Sequence, residues 1–122
     1  MQLGLVALAS ALGALSRYGV HGLVQSRTAS RFPYGTVVVN LSGSFVLGLI
    51  VGLATYQGLD ADVRTVVGTG FIGAYTTFSS FSYDTFGLLE EGATAAAWVN
   101  ALGSIVVGLA AATAGFVLAG LL

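Results

Sequence analysis

Cysteine is absent from this chain, so neither a disulfide framework nor a thiolate ligand or nucleophile is open to it. Charge is scarce as well: 7% of the 122 residues are charged, against roughly 25% in an ordinary soluble domain. Histidine occurs once, as His21, and proline once, as Pro33. With a single histidine and no paired acids inside the apolar segments, no catalytic constellation can be assembled. The chain is not expected to be an enzyme, and no nucleic-acid partner is expected.

What is abundant is apolar: 56% of the residues are hydrophobic. A bilayer core of about 30 Å takes about 20 helical residues to cross. Residues 1–122 therefore read as a single transmembrane domain of an all-α membrane protein, with four helices at about 3–24, 36–56, 64–89 and 95–122. The connectors are "QSRTASRFPYG", "QGLDADVR" and "EEGATAA". Pro33 suits a turn or a first helical turn. The first apolar run has no basic leader and no small-residue cleavage site after it, so it reads as a retained span and not as a signal peptide. Four spans place both termini on one side of the membrane.

Orientation is read from Lys and Arg in short loops, and here the two sides nearly tie. Arg27 and Arg31 stand against Arg64 and the amino terminus. Such a balance fits a chain with too few charges to orient it, and equally a chain that inserts both ways.

Two helices carry small or polar residues four apart, the spacing that lets membrane helices approach closely. The stripes are Asn40, Ser44, Gly48, Gly52 and Asn100, Ser104, Gly108, Ala112. Their glycine ends read as packing seams. An amide buried in hydrocarbon must find a partner, so Asn40 and Asn100 either bond another helix or face a hydrated passage.

The stretch "GAYTTFSSFS", residues 73–82, holds six hydroxyls and two phenylalanines. Gly68, Gly70 and Gly73 precede or open it, and the hydroxyls of Thr76, Thr77, Ser79 and Ser80 can bond freed backbone groups. A third helix broken near Gly73 is expected, since non-helical backbone at membrane depth survives where protein or a water-filled cavity covers it. Phe78 and Phe81, three apart, share a face. An aromatic ring has a positive edge, so a ring turned edge-on can meet a small anion without holding it as tightly as a fixed cation would. Thr77 and Ser80 add hydroxyl donors beside the rings. The combination suits a dehydrating anion better than a cation.

With these residues in view, the chain resembles the CrcB/Fluc family of small fluoride channels. The likeness is carried by "GALSRYGV", "FPYGTVVVNLSGSFVLG" and "GFIGAYTTFSSFSYDT", and it spans nearly the whole sequence. It implies an antiparallel, dual-topology dimer in the cell membrane that exports fluoride passively through two pores and so lowers fluoride in the cytoplasm. By the same resemblance Phe78 and Phe81 are the paired pore phenylalanines, Asn40 lines the pore, and Thr77, Ser80 and Ser104 are the hydroxyls of the fluoride path. Gly73 and Thr76 fall where backbone carbonyls of both subunits hold a central structural sodium ion, and Arg17 matches a helix 1 arginine; about two turns inside that helix, it either snorkels to the headgroups or forms a vestibule that draws anions inward. Three positions depart from the family pattern: Asn100 stands where some relatives have tyrosine, Ser80 where threonine is common, and Asp84 where glutamate is common. Since both phenylalanines and Asn40 are present, a homodimer is expected over a pairing with a paralogue.

Two other classes compete. A proton-coupled small multidrug transporter needs a carboxylate in the middle of helix 1, and that helix has no acid. A non-conducting or heterodimeric assembly subunit would need only the packing stripes, and it leaves the hydroxyl and phenylalanine cluster unexplained.

Overall fold

The computed structural model describes residues 2–122, and among them there are helices, turns and bends but no strand. Helix α1 is Gln2–Ser26, α2 is Tyr34–Tyr56 and α6 is Thr94–Leu121, with α3 (Ala61–Val63), α4 (Gly73–Tyr75) and α5 (Phe78–Glu90) between α2 and α6. Three of these, α1, α2 and α6, are long and apolar enough to cross a membrane. Their outward faces are apolar, as at Leu8, Leu15, Val106 and Leu109. Lipid is the solvent that matches such a surface.

Helix ends are made as the local chemistry requires. A new helix has amide groups without acceptors, and the Gly35 amide of α2 donates to Oε1 of Gln25 on α1 at 2.9 Å. Pro33, which has no amide to satisfy, sits directly before α2, and its carbonyl accepts from Val37 at 3.1 Å. Asp60 caps α3 through its carboxylate. At the far ends of α2 and α5, Gly58 (φ 67°) and Gly92 (φ 81°) take the left-handed conformation that favours glycine. The bonds from Leu59 to the Leu53 carbonyl and from Ala93 to the Leu88 carbonyl close those turns.

The firmest packing joins α2 to α6, which run parallel. Ser44 lies beside Gly108, Gly48 against the backbone of Ala112, and Gly52 against Phe116 and Ala119. A Cβ on Gly48 or Gly115 would run into backbone carbonyls, of Ala112 and Phe45 respectively. The two stripes legible in the sequence are thus the two sides of one seam.

The third segment differs from expectation. It begins at Ala61, and Arg64–Ile72 is a π-helix, the wider turn in which each amide reaches five residues back. Gly68 and Gly70 lie inside that π stretch, and Gly73 is itself helical at φ −58° and ψ −38°. The glycines therefore do not break the helix. Gly70 brings it against α1, where it meets Ala9 and Val6, Gly13 meets the Phe71 backbone, and Ser10 Oγ donates to the Gly70 carbonyl at 3.1 Å, while Gly68 lies beside Leu47 and Ile50 of α2. The break comes three residues after Gly73.

Candidate functional site

Thr76 and Thr77 have extended backbone, at φ/ψ of −79°/159° and −147°/121°. The hydrogen-bond ladder of residues 61–75 stops there, and α5 starts at Phe78. A helix that stops strands its last carbonyls, and one that starts strands its first amides. Asn40 answers both. Its Oδ1 accepts from the Thr77 amide at 2.8 Å and its Nδ2 donates to the Thr77 carbonyl at 2.9 Å. These two bonds also fix which end of the amide is oxygen, and they leave one Nδ2 hydrogen free. Thr77 then caps α5 through Oγ1, which accepts from the Ser80 amide at 3.1 Å. Because the Thr77 and Ser80 amides are turned to these side chains, the Gly73 and Thr76 carbonyls lose the donors that a continuous helix would supply.

A groove of about 360 Å³ opens beside the break, and its lining includes Asn40, Thr76, Thr77, Phe78, Phe81 and Ser104. None of its lining residues is charged. The Phe78 and Phe81 rings are 6.0 Å apart and tilted by 41°. Phe78 is 80% exposed, so the groove is open on one side within a single chain. A smaller cavity of about 180 Å³ shares Asn40, Ser44 and Ser104 with this groove and reaches Phe32 and Val99.

Ser80 is elsewhere. It lies in a second groove, of about 310 Å³, with Arg17, Tyr18 and His21, and Thr77 lines both. The residues grouped by the sequence reading are therefore divided by the fold: one uncharged groove with the aromatic rings, and one with a fixed cation, joined at Thr77.

The two asparagines bond other helices. Asn100 is 1% exposed, and its Nδ2 donates to Thr85 Oγ1 at 2.8 Å, which ties α6 to α5. It adds nothing polar to the lining of the main groove. Ser104 Oγ lies 3.4 Å from Asn100 Oδ1 and donates to it. Asp84 accepts from Thr36 Oγ1 at 2.8 Å and joins α5 to α2. Thr36 and Thr85 were not singled out by sequence reasoning. Neither carries a signal of its own, because a threonine's partner four turns or a helix away is set by tertiary packing.

A family model described as CrcB-like protein, Camphor Resistance (CrcB), matches residues 4–116. Among similar proteins, a fluoride-specific ion channel FluC of Syntrophotalea carbinolica is 44% identical over 120 residues, covering 98% of each chain. FluC of Thermus thermophilus is 43% identical over 118 residues, 97% of this chain and 94% of the relative. FluC 1 of Leifsonia xyli is 44% identical over 116 residues, 95% of this chain and 85% of the relative. These relatives are named as ion channels and not as enzymes. With three apolar helices long enough to cross a bilayer, the chain is a multi-pass membrane protein. From the match along nearly its whole length, it belongs to the CrcB-like family.

Proposed function

We propose that two copies of this chain, inserted in opposite orientations, form a fluoride-selective channel through which the ion leaves the cell down its gradient. The observation that carries this reading is the uncharged groove in which Asn40, Thr77, Ser104 and the Phe78 and Phe81 rings meet at a helix break. The names of the relatives support the choice of ion. In this reading residues 61–75 and α5 together make the fourth crossing.

The chemistry is that of weak, repeated contact. A path must bind an ion well enough to strip its water and loosely enough to release it. Hydroxyls, the free Nδ2 hydrogen of Asn40 and aromatic edges meet that need, while a lysine or arginine in the same groove would hold the anion. Arg17, in the adjoining groove with Ser80 and Thr77, is placed to raise the local concentration of anions at the mouth. The close seam between α2 and α6 resists the widening that larger halides would require.

The open side of the groove and the sparsely covered α1, whose only buried residue is Gly13, favour a second copy against this face. A structural sodium ion fits the break: the Gly73 and Thr76 carbonyls, freed from helix bonding at a negative helix end, would hold it together with their counterparts in the second copy. When bound, the ion would neutralise carbonyl oxygens gathered from two chains.

The test is fluoride efflux from liposomes holding the purified protein, read with a fluoride electrode, with chloride efflux as control. Fast fluoride release with little chloride release is expected; no fluoride release from well-folded dimers would sink the reading. Withdrawal of sodium should lower flux or dimer order, and indifference to sodium would remove the ion from the proposal.

A further inference from the structure

Helical serines and threonines can donate their hydroxyl to the carbonyl four residues back. In this structure Ser16, Ser42, Thr55, Thr65, Thr85 and Thr113 do so, at 2.7–2.9 Å, while Ser10, Ser26 and Thr36 donate elsewhere. Ser104 also donates elsewhere. Its hydroxyl donates to the side chain of Asn100 through a longer bond of 3.4 Å, and the same serine lines the main groove.

Asn100 is built to offer that acceptor. Its side chain is buried, and its Nδ2 is fixed by Thr85 Oγ1 at 2.8 Å. Thr85 in turn has spent its own proton on the Phe81 carbonyl at 2.8 Å, so Thr85 is an acceptor toward Asn100 and the amide oxygen must point the other way, to Ser104. The polarity of the whole relay is thereby set from the Phe81 backbone outward.

We propose that Asn100 is a positioning residue for the ion path: its side-chain oxygen takes the Ser104 hydroxyl in place of a helix carbonyl and holds the proton on a bond weak enough to be given up to a passing anion. This rests on the fluoride reading above. A short bond to the helix carbonyl would withdraw the donor from the groove, whereas the long bond to Asn100 keeps it ready. The amide never touches the ion.

A double-mutant cycle in the liposome flux assay tests this. Asn100→Leu removes the acceptor and should lower fluoride flux about tenfold, on the order expected for losing one hydrogen bond to an anion. Ser104→Ala should do the same, and the double variant should be no slower than Ser104→Ala alone. Asn100→Ala, which removes the acceptor with less bulk, serves as the second variant in the cycle. Thr85→Val, which frees the Asn100 amide from the anchor that orients it, should also lower flux, by no more than Asn100→Leu does. If the loss from both Asn100 variants persists undiminished in the Ser104→Ala background, Asn100 is only a structural tie and the inference fails while the channel reading stands. An unsubstituted protein that releases no fluoride would overturn both.

Discussion

The seam between α2 and α6 and the break at Thr76 and Thr77 solve the same problem in opposite ways. Both must bring backbone close to backbone in a setting without free water. The seam removes side chains: Gly48, Gly52 and Gly115 leave room for the carbonyls and small side chains opposite. The break adds one: Asn40 supplies from its amide the donor and the acceptor that the interrupted helix has lost. Close approach made by deletion leaves a dry surface with nothing to offer an ion. Close approach made by an inserted amide leaves spare polar groups, and the groove is lined with them.

The contrast is broken most severely at the seam. Gly48→Leu drives a side chain into the Ala112 backbone, which cannot yield as a flexible side chain can. A destabilisation of about 3 kcal/mol or more is expected, seen as loss of monodisperse protein after detergent extraction. Asn40→Leu comes next. It orphans the Thr77 amide, at about 1–3 kcal/mol, and takes the side-chain donor from the Thr77 carbonyl, so the thermal midpoint should fall and fluoride flux should vanish with it.

Phe78→Ile separates function from stability. Since Phe78 is 80% exposed in the single chain, folding of that chain should shift by less than about 0.5 kcal/mol. Flux through Phe78→Ile or Phe81→Ile should nevertheless fall about tenfold, the scale set by losing an aromatic contact of about 1 kcal/mol or more. Undiminished flux in both variants would take the rings out of the path. Arg31→Ala should do least. Its bridge to Glu91 spans 3.2 Å but lies in the open, with side chains 79% and 48% exposed, and water screens such a pair to below about 1 kcal/mol.

The outline of the fold was legible because its signals are local. Apolar runs marked α1, α2 and α6 to within two residues at most ends, and the four-residue stripes marked the seam, since a spacing of four puts residues on one helical face. The position of the break was less legible. Gly68, Gly70 and Gly73 looked like its cause, yet Gly70 lets a π-helix sit against Val6 and Ala9 of α1, and Gly68 lies beside Leu47 and Ile50 of α2. No local pattern distinguishes a glycine that ends a helix from one that lets it dock. The asparagines illustrate the same limit. Their burial could be anticipated from the seam, but that Asn40 would clamp Thr77 and Asn100 would reach Thr85 depends on which helices stand side by side. The polar and aromatic residues of the main groove were named in advance, whereas Gly43, Leu47 and Ile105, which complete its lining, were not; nor was the division into a charged and an uncharged groove meeting at Thr77.

The clamp at Thr77 has a kinetic consequence. A discontinuous helix in a membrane protein can act as a hinge, and a protein with a hinge spends one swing for every cycle. Here both bonds of the Asn40 amide rivet the two half-helices to α2, so the discontinuity is a fixed fitting. In the proposed channel, an ion following the groove would wait for no rearrangement of the wall beside it. Its rate would grow in proportion to the gradient and rise with temperature only about as steeply as diffusion in water, without the plateau and steep temperature dependence of a rocking carrier.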